Sequence, residues 1–557
     1  MKELRRSNST GRLPEIDLEN GVQEVGTNDT VHKKAKGKFI KEYLIDFTAN
    51  SNLHGLRYIG EKKRTYAEKI FWLFMFVLCV IYCAYLIRKV WIKWDESPVM
   101  VSFAESLTPA WQIPFPAITI CFQSKASSKR FNFTKYYKLY DEEDTKANLT
   151  EKETQMVEDF SMACKKYVDS DKNFTDGKIT VGNIKDLSVD FGDFLNYCLW
   201  KDTPICEKIF SPIVMEEGLC QTFNMLGPDE LFRMENLHKD YEYMNKRNSN
   251  STQSWTLEAG YPPSTPLETY PYRGSGNGGK DNLVVGIYSY NLNMDYTCNM
   301  MQGFKIYLHS PAELPSISRH SIQFPLSQDL LVAVKPKMMT ATEGLKDYSS
   351  QRRQCYFSNE RYLRFFKIYT QSNCELECLA NFTNAKCGCV HFGLPHGPGV
   401  KTCGAGSMYC LSSAQTELVQ LEVQSSIDGH TSDKDTVNEA LAVAGRCSCL
   451  PACTSIEYAA ETSQANVDMN AFLIANNIPL LGTDLTVSRL KVYLKEPQFT
   501  TLRRSELYGQ VDFLANCGGL LGLFMGFSVL SVAEIIYFLT LRWWCLFTKN
   551  RRIHGVQ

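Results

Sequence analysis

The chain has 557 residues, with 60 basic against 61 acidic side chains and a formal net charge of -1. This balance gives no electrostatic footprint of a nucleic-acid binder, so we expect no nucleic-acid partner. The unusual feature of the composition is 20 cysteines. Such a number indicates a disulfide framework or a metal site, and the compartment decides between the two.

The first 40 residues are polar and contain a basic patch, Lys33 to Lys38. We interpret residues 1–40 as a disordered cytoplasmic tail, either fully solvated or touching acidic lipid headgroups. Residues 41–69 form a cytoplasmic segment before the first apolar run. That run, Ile70 to Ile87, has 18 residues without a charge, which correspond to about 27 Å of helix. A buried core helix is the alternative, but charges at both ends favour a transmembrane helix over residues 70–90.

A second apolar run, Phe513 to Leu539, carries one charge, at Glu534. It predicts a second transmembrane helix over residues 509–541, followed by a cytoplasmic tail, 542–557. Basic residues precede the first span and follow the second, which favours a cytoplasmic position for both termini. We therefore expect a multi-pass protein in the lipid bilayer of the plasma membrane.

The segment between the spans, residues 91–508, holds 16 of the 20 cysteines and five N-x-S/T sequons. Cysteines beside sequons indicate an extracellular domain with up to eight disulfides. The dense block at 355–453 could also hold zinc, but its spacings and compartment favour disulfides. We expect no structural metal and no cofactor. The predicted glycosylation sites are Asn132, Asn148, Asn173, Asn250 and Asn381.

Secondary-structure patterns between the spans are mixed. A helix-prone stretch ends near Cys206, residues 248–282 have the composition of loops, and residues 283–335 alternate as strands do. Leu490 to Leu494 is predicted to be the last strand before the second span. The predicted fold class is an α+β membrane protein with two transmembrane helices and a large disulfide-rich extracellular domain.

The second span contains more polar and small residues than an anchor requires. One helical face carries residues spaced by four and three positions, a spacing that places them in one stripe. Close helix packing through repeated glycines is the simpler interpretation, but it leaves the polar groups unexplained. We interpret the stripe as the lining of a pore formed by several copies of the chain. The predicted pore-lining residues are Asp512, Asn516, Gly519, Leu523, Ser531 and Glu534.

Gly526 and Ser528 pose a geometric problem, because residues two positions apart in a helix point about 200° apart. If both face the lumen, the backbone must leave the helix between them. Irregular backbone at membrane depth is tolerated where it lines a protected or aqueous space. We therefore predict a helix break and a selectivity filter at Gly526, Phe527 and Ser528. On an extended backbone, Phe527 would point away from the lumen.

Five segments match one known family in that family's own order, from about residue 50 to residue 545: His54-Gly55, Phe115 to Cys121, Leu219 to Asn224, Cys449 to Cys453 and Gly518 to Ser528. They resemble the degenerin/epithelial sodium channel superfamily. The sequence around them is most similar to the arthropod pickpocket branch of that superfamily.

The resemblance implies a homo- or heterotrimer with related subunits, each shaped like a hand with palm, finger and thumb. It also implies that His54-Gly55 lies in a re-entrant loop that influences gating. Ala515 falls where the family has a small residue whose enlargement holds the pore open. These three residues are the predicted gating positions.

The resemblance further implies a nested ladder of disulfides in the thumb, over residues 355–453. The implied thumb pairs are Cys355–Cys453, Cys374–Cys449, Cys378–Cys447, Cys387–Cys410 and Cys389–Cys403. Elsewhere it implies Cys121–Cys220 and Cys198–Cys206, and parity then pairs Cys164 with Cys298.

The function implied is a subunit of a trimeric, sodium-preferring, amiloride-sensitive type of cation channel, opened by an unidentified extracellular or mechanical stimulus. An accessory or receptor-like subunit that conducts only in heteromers is the first alternative. A membrane-anchored ecto-enzyme is the second, but no catalytic constellation is present in the sequence. We therefore predict no enzymatic activity and no catalytic residues.

Overall fold

The structure is a computed structural model that describes residues 43–61, 63–96, 99–142, 146, 148–204, 210–244, 255–274, 276, 278, 282–290, 295–316, 321–427, 443–444, 447–479, 485–507 and 509–545. The chain divides into two compact units. The membrane unit contains the described residues of Met1–Pro98 and Tyr508–Gln557, and the large unit is Val99–Leu507.

Helices and strands alternate irregularly along the chain. The helices are α1 (43–50), α2 (Leu56–Gly60), α3 (Tyr66–Glu96), α4 (Phe133–Asp141), α5 (Glu151–Ala163), α6 (Gly177–Leu187), α7 (Phe191–Phe194), α8 (Pro228–Leu231), α9 (Ser350–Arg353), α10 (Gln371–Cys387), α11 (Met408–Ile427), α12 (Met469–Ala475), α13 (Gln510–Met525) and α14 (Val529–Tyr537). Short 3₁₀ helices lie at Ala110–Gln112, Met234–Asn236, Lys239–Tyr243, Glu343–Asp347 and Ala405–Ser407, and a π-helical turn at Phe538–Arg542.

The strands are β1 (Val99–Phe103), β2 (Thr108–Pro109), β3 (Ala117–Phe122), β4 (Phe174–Thr175), β5 (Leu195–Trp200), β6 (Thr203–Pro204), β7 (Phe210–Met215), β8 (Gly218–Phe223), β9 (Asn282–Tyr290), β10 (Gly303–His309), β11 (Ile322–Pro325), β12 (Gln328–Ala341), β13 (Thr402–Cys403), β14 (Ser455–Asn466), β15 (Leu485–Leu494), β16 (Gln498–Phe499) and β17 (Leu502–Glu506). An eight-stranded sheet has the order β1-β17-β12-β15-β9-β5-β6, with β14 also paired to β12. A five-stranded sheet has the order β11-β10-β3-β8-β7.

The two larger sheets share one hydrophobic core. Ile118 and Ile306 of the smaller sheet are buried in the same cluster as Val285, Val332 and Leu490 of the larger sheet. Strand β3 is buried along its whole length, which explains why its sequence is a continuous apolar run rather than an alternating one. The two sheets therefore form one core of the large unit, and separate hydrophobic clusters lie among its helices.

The cysteine block, residues 355–453, is organised by the antiparallel helices α10 and α11. Cys374 and Cys378 lie one turn apart on α10, so both face the same segment, 447–449, which carries their partners. Helix α10 ends at Gly388, whose φ of +69° places it in the left-handed region that favours glycine. The next bridges then connect the end of α10 to α11 and close the following loop.

The structure forms seven of the eight predicted disulfides, of which Cys164–Cys298 was predicted by parity: Cys121–Cys220, Cys164–Cys298, Cys355–Cys453, Cys374–Cys449, Cys378–Cys447, Cys387–Cys410 and Cys389–Cys403. Cys198 is also disulfide-bonded, and its predicted partner Cys206 lies outside the described residues. Asn132, Asn148, Asn173 and Asn381 are exposed, whereas Asn250 and the predicted tail 1–40 fall outside the described residues.

One expectation was wrong. Leu490 to Leu494 belongs to β15 but is not the last strand, because β16 and β17 follow it. Strand β17 pairs with β1 and with the end of β12. Its sequence, Leu502 to Glu506, contains two arginines and a glutamate, so it lacks the apolar alternation by which strands are recognised. Backbone pairing, rather than side-chain burial, defines this strand.

Candidate ion-conducting site

The membrane unit contains a helix long and apolar enough to cross a bilayer, α3 at Tyr66–Glu96. A second such span is present in the described residues only if two consecutive helical segments, Gln510–Met525 and Val529–Cys545, are taken as one. These segments are bent by 70° at the break between them. The predicted interruption of the second span is therefore present, and it falls at Gly526, Phe527 and Ser528.

Each residue of the break has a distinct structural role. Gly526 has a φ of +64°, and its N–H donates to the carbonyl of Gly522, which ends α13. Ser528 has an extended backbone and caps α14, because its hydroxyl accepts the N–H of Ser531 at 3.3 Å. The left-handed conformation of Gly526 shows that the backbone is not extended throughout. The expectation that Phe527 points away from the lumen assumed an extended backbone over the whole break, so it no longer has this support.

Helix α13 packs on α3 through one face. Phe513 lies 5.8 Å and 5.4 Å from the rings of Trp91 and Trp94, and Phe524 lies 5.5 Å from Tyr82, measured between ring centroids. Residues at these positions and at the intervening turns are partly buried. This packing accounts for Phe513 and Phe524 and leaves another face of α13 exposed.

An exposed face of α13, about a quarter turn from Phe513 and Phe524, carries the predicted pore stripe. Asp512, Asn516, Gly519 and Leu523 are all exposed, and so is Ala515 beside them. A Cβ added at Gly519 would meet nothing within 4 Å. A face of small and polar residues with open space beside it is available to water or to another copy of the chain.

His54 lies directly against the break. Its backbone N–H donates to the carbonyl of Met525 at 2.9 Å. A Cβ added at Gly526 would stand only 2.7 to 2.8 Å from three atoms of the His54 ring. Gly526 is therefore required twice, by its left-handed backbone and by this close approach. The following residue, Gly55, also has a positive φ, of +84°, and begins the turn into α2.

The segment before the first span also contacts the lower half of the second span. The side-chain amide of Asn52 donates to the carboxylate of Glu534. The carboxylate of Asp46 pairs with the guanidinium of Arg542 at 3.1 Å. The hydroxyl of Tyr43 donates to the carbonyl of Phe538. Together with the His54 contact, these bonds hold residues 43–54 along α14 and the residues that follow it.

Two predicted pore residues are engaged within their own chain. Ser531 is buried, with 2% of its surface exposed, and it bonds to Ser528. Glu534 is partly buried against Asn52. The structure thus brings His54, the predicted filter and Glu534 close together, while Asp512, Asn516, Gly519 and Leu523 lie on the exposed face of α13. The partners Asp46, Asn52 and Arg542 were missed, because side chains paired across nearly 500 residues leave no local pattern.

The chemistry of this arrangement follows from helix termini. The last carbonyls of a helix lack intrahelical donors, and the C-terminus carries a partial negative charge. The break places the end of α13, the hydroxyl of Ser528 and irregular backbone within three residues. Such a group of oxygens can replace part of the hydration shell of a small cation, and no proton transfer or nucleophile is involved.

Residues 47–538 match the family described as amiloride-sensitive sodium channel. The match covers most of the chain and includes both apolar segments, the large unit and the break. The geometry and the match define a membrane channel protein rather than an enzyme. The chain belongs to the amiloride-sensitive sodium channel family, which is the degenerin/epithelial sodium channel superfamily that the sequence resembles.

Several relatives are similar over nearly the whole chain. Pickpocket protein 28 of Drosophila melanogaster is 30% identical over 542 residues, which cover 92% of this chain and 81% of the relative. Sodium channel protein Nach of the same fly is 22% identical over 90% of this chain and 87% of its own. The bile acid-sensitive ion channel of Mus musculus is 22% identical over 91% and 89%. The predicted similarity to the pickpocket branch is confirmed.

Proposed function

We propose that the chain is a subunit of a trimeric, sodium-preferring cation channel of the plasma membrane, gated through its large extracellular unit. The observation that carries the proposal is the break at Gly526–Ser528, next to a free helix face of small and polar residues. One helix cannot enclose a pore, so copies must meet around an axis with these faces inward. Assembly with related subunits is a property of the channel family, and three copies is the number we propose.

Sodium preference follows from how the break would act in a trimer. Sodium holds its hydration shell more tightly than potassium, so the fixed oxygens must approach it closely. Three-fold symmetry supplies each carbonyl and each Ser528 hydroxyl three times. The family description and the name of the relative Nach support this preference. The permeant ion needs no cofactor, and the lipid bilayer is the remaining partner.

The topology that we propose has both termini in the cytoplasm. Basic residues precede the first apolar segment and follow the second, which is the pattern of cytoplasmic segments. The large unit carries the disulfides and four exposed sequons, and both features belong to an oxidising, extracellular compartment. In this arrangement residues 43–54 lie on the cytoplasmic side and brace the break from below.

Gating in this proposal changes the contacts around α13. The upper helices must approach one another to close, and the small side chain of Ala515 lies on the face where they would meet. The contact of His54 with Met525 and Gly526 holds the lower end of the same helix. A stimulus at the large unit, whether chemical or mechanical, would open the pore by moving α13. The contacts of residues 43–54 would keep the backbone of the break in place during this movement.

The test is to express the chain alone in cells without a background sodium current and to compare it with Ala515→Phe. A bulky side chain at position 515 prevents closure, so the variant should carry a resting current at least several-fold above the parent. Replacing sodium by potassium outside should move the reversal potential to more negative values. Stepwise photobleaching of labelled chains should give three steps per complex.

The alternative of an accessory subunit is separated in the same cells. Current that requires a co-expressed related subunit would assign the chain to heteromers. If Ala515→Phe is delivered to the surface and carries no current under either condition, the chain does not form a pore. Current with no difference between sodium and potassium would leave a cation channel but remove the sodium preference.

A further inference from the structure

The large unit contains a cluster of two histidines and an aspartate with no assigned role. His238 precedes the 3₁₀ helix Lys239–Tyr243, which contains Asp240. His396 lies in the loop that the Cys389–Cys403 disulfide closes. The backbone joins the two segments, because the N–H of His238 donates to the carbonyl of His396 at 2.9 Å. The three side chains therefore belong to two segments that are held in place by a disulfide and a backbone hydrogen bond.

The potential ligand atoms of the cluster face one another at short range. His238 Nδ1 lies 3.0 Å from Asp240 Oδ1, and His396 Nε2 lies 3.2 Å from Asp240 Oδ2. All three potential ligand atoms lie within 4.8 Å of one another. Ligands placed about 2.0–2.1 Å from a tetrahedral zinc ion stand about 3.3 Å apart. The distances from the carboxylate to the two rings are close to this spacing.

Burial makes the cluster costly unless its atoms are satisfied. The side chains of Asp240 and His396 are 0% and 1% exposed. Both carboxylate oxygens of Asp240 and the Nε2 atom of His396 lack a hydrogen-bond partner among the described residues. A buried carboxylate with no donor is destabilising by several kcal/mol or changes its protonation state. A bound cation would compensate both oxygens at once.

The hydrogen bonds around the rings determine which nitrogens remain available. His396 Nδ1 lies 3.0 Å from the carbonyl of Leu394, and in a neutral ring it must donate to that oxygen. Nε2 of His396 then presents a lone pair to Asp240. His238 Nδ1 has one lone pair, which accepts the N–H of Asp240 at 3.3 Å; a metal ion bound to this nitrogen would replace that long hydrogen bond. The lone pair of His396 Nε2 and the carboxylate of Asp240 repel unless a proton or a metal ion lies between them.

The tautomer of His396 is the one found in metal sites. Metal-bound histidines commonly donate their second ring nitrogen to a backbone carbonyl, which fixes the orientation of the ring. Helix α6 also approaches the carboxylate closely. A Cβ at Gly177, the first residue of α6, would stand 2.6 Å from Asp240 Oδ2, so a larger residue there would displace the carboxylate.

We propose that His238, Asp240 and His396 form a binding site for a divalent transition-metal ion of the zinc class. Two imidazoles and one carboxylate suit zinc, whereas magnesium and calcium prefer oxygen ligands alone. The side chain of His238 is 27% exposed, so an ion can enter from solvent on that side and keep a water molecule as its fourth ligand. The site binds the disulfide-closed loop to the segment 238–243.

This site was not predicted from the sequence, where we expected no structural metal. That expectation covered the whole chain, although the argument behind it considered only the cysteine block and its spacings. The three ligands come instead from two distant segments, and neither segment has two ligands at a spacing typical of zinc sites. The fold alone brings them together.

The experiment uses the purified full-length chain in detergent and titrates it with zinc chloride, following binding by calorimetry and thermal stability by intrinsic fluorescence. We expect one zinc ion per chain and a melting temperature that rises with zinc concentration. Magnesium chloride should do neither. These readouts do not depend on ion conduction, so they stand or fall separately from the proposed channel function.

Variants are chosen to remove one ligand atom at a time. His396→Asn keeps a donor for the carbonyl of Leu394 but removes Nε2, and Asp240→Asn keeps the shape but removes the charge. His238→Ala changes the partly exposed ligand, so it serves if a buried substitution fails to fold. Each substitution should weaken zinc binding at least about 10-fold. Loss of a residue that only supports a metal ligand already lowers metal affinity by about 10- to 100-fold.

His391→Asn is the matched control. His391 lies in the same disulfide-closed loop, but its Nδ1 accepts the N–H of Gly393 at 3.1 Å, a role that asparagine can keep. This variant should bind zinc as the parent does. Absence of zinc binding by the parent chain, or parental affinity in both His238→Ala and His396→Asn, would show that the cluster is only a set of histidine–carboxylate ion pairs.

Discussion

The cysteine block and the broken helix of the membrane unit are held by different kinds of interaction. In the block, three disulfides tie α10, α11 and the segment 447–453 together, and two more join Cys355 to Cys453 and close the loop 389–403. At the break, the structure relies on one backbone hydrogen bond, one ring contact and a few side-chain pairs. Each of these is worth about 0.5–3 kcal/mol, whereas a disulfide contributes about 2–4 kcal/mol.

This difference indicates a division of labour. Covalent links keep the block rigid, so a movement at one end is carried to the other rather than absorbed. The break must instead keep a defined backbone and still permit rearrangement, which weak contacts allow. Substitutions in the two regions should therefore fail in different ways, by loss of folding in the block and by altered conduction at the break.

The largest effect is expected in the block. Cys374→Ser removes the Cys374–Cys449 bridge and should lower the free energy of unfolding by about 2–5 kcal/mol, so the chain should be retained in the secretory pathway. Surface biotinylation measures this loss. Cys79→Ser is the control, because Cys79 lies in α3 and forms no disulfide. Equal surface delivery of both variants would show that the bridge is dispensable.

The next effect is expected at the break. Gly526→Ala introduces a methyl group 2.7 Å from the His54 ring and a side chain at a φ of +64°, so current should fall by at least about ten-fold while surface delivery persists. Adding His54→Ala tests the cause. Partial recovery in the double variant assigns the loss to the ring contact, and no recovery assigns it to backbone strain. Normal current in Gly526→Ala would show that the close contact between His54 and Gly526 is not needed for conduction.

A smaller effect, on selectivity, is expected from the neighbouring residues. In the proposed trimer, the carbonyls of the break and the Ser528 hydroxyls of three copies form a ring of oxygens. Phe527→Ala should loosen this ring, and Ser528→Ala should remove its hydroxyls. Both variants should therefore have a lower sodium-over-potassium selectivity without loss of current. Reversal potentials under bi-ionic conditions measure the change.

Ser528 also caps α14, and loss of a cap costs about 1 kcal/mol by itself. Ser528→Thr keeps a capping hydroxyl and is the matched control, which should remain closer to the parent than Ser528→Ala. Unchanged reversal potentials in Phe527→Ala and Ser528→Ala would place the constriction elsewhere.

The architecture was predictable where chemistry is local or a family pattern exists. Apolar length indicated the spans, and the conflict between Gly526 and Ser528 indicated the break. The polar strand β17 was missed, because its register with β1 depends on backbone pairing. The pairs Asn52–Glu534 and Asp46–Arg542 and the His238–Asp240–His396 cluster were missed as well. Residues far apart in sequence carry no signal of their proximity until the fold is known.

The smallest expected effect concerns charge inside the rigid unit, where two adjacent glutamates differ. Glu217 bonds to Lys305 at 2.6 Å and to Lys125 at 3.4 Å; burial opposes ionisation, but these ammonium groups hold its pKa below the usual value. Burial raises the pKa of Glu216 to about 7, although Lys165 acts in the opposite direction. Glu216 and His391 line one cavity of about 170 Å³. His391 stays neutral there because burial lowers its pKa to about 3.

The sign of the resulting pH dependence follows from the raised pKa of Glu216. Between about pH 4.5 and pH 7 the folded chain binds more protons at this residue than the unfolded chain, so the contribution of Glu216 to stability falls as pH rises. Glu216→Gln removes this dependence. The variant should melt about 2–4 °C above the parent at pH 8, and the difference should disappear near pH 5. Glu217→Gln is the matched control and should melt below the parent at pH 8, because Lys125 and Lys305 lose their partner. A difference between Glu216→Gln and the parent that stays constant from pH 5 to pH 8 would show that Glu216 does not titrate in this range.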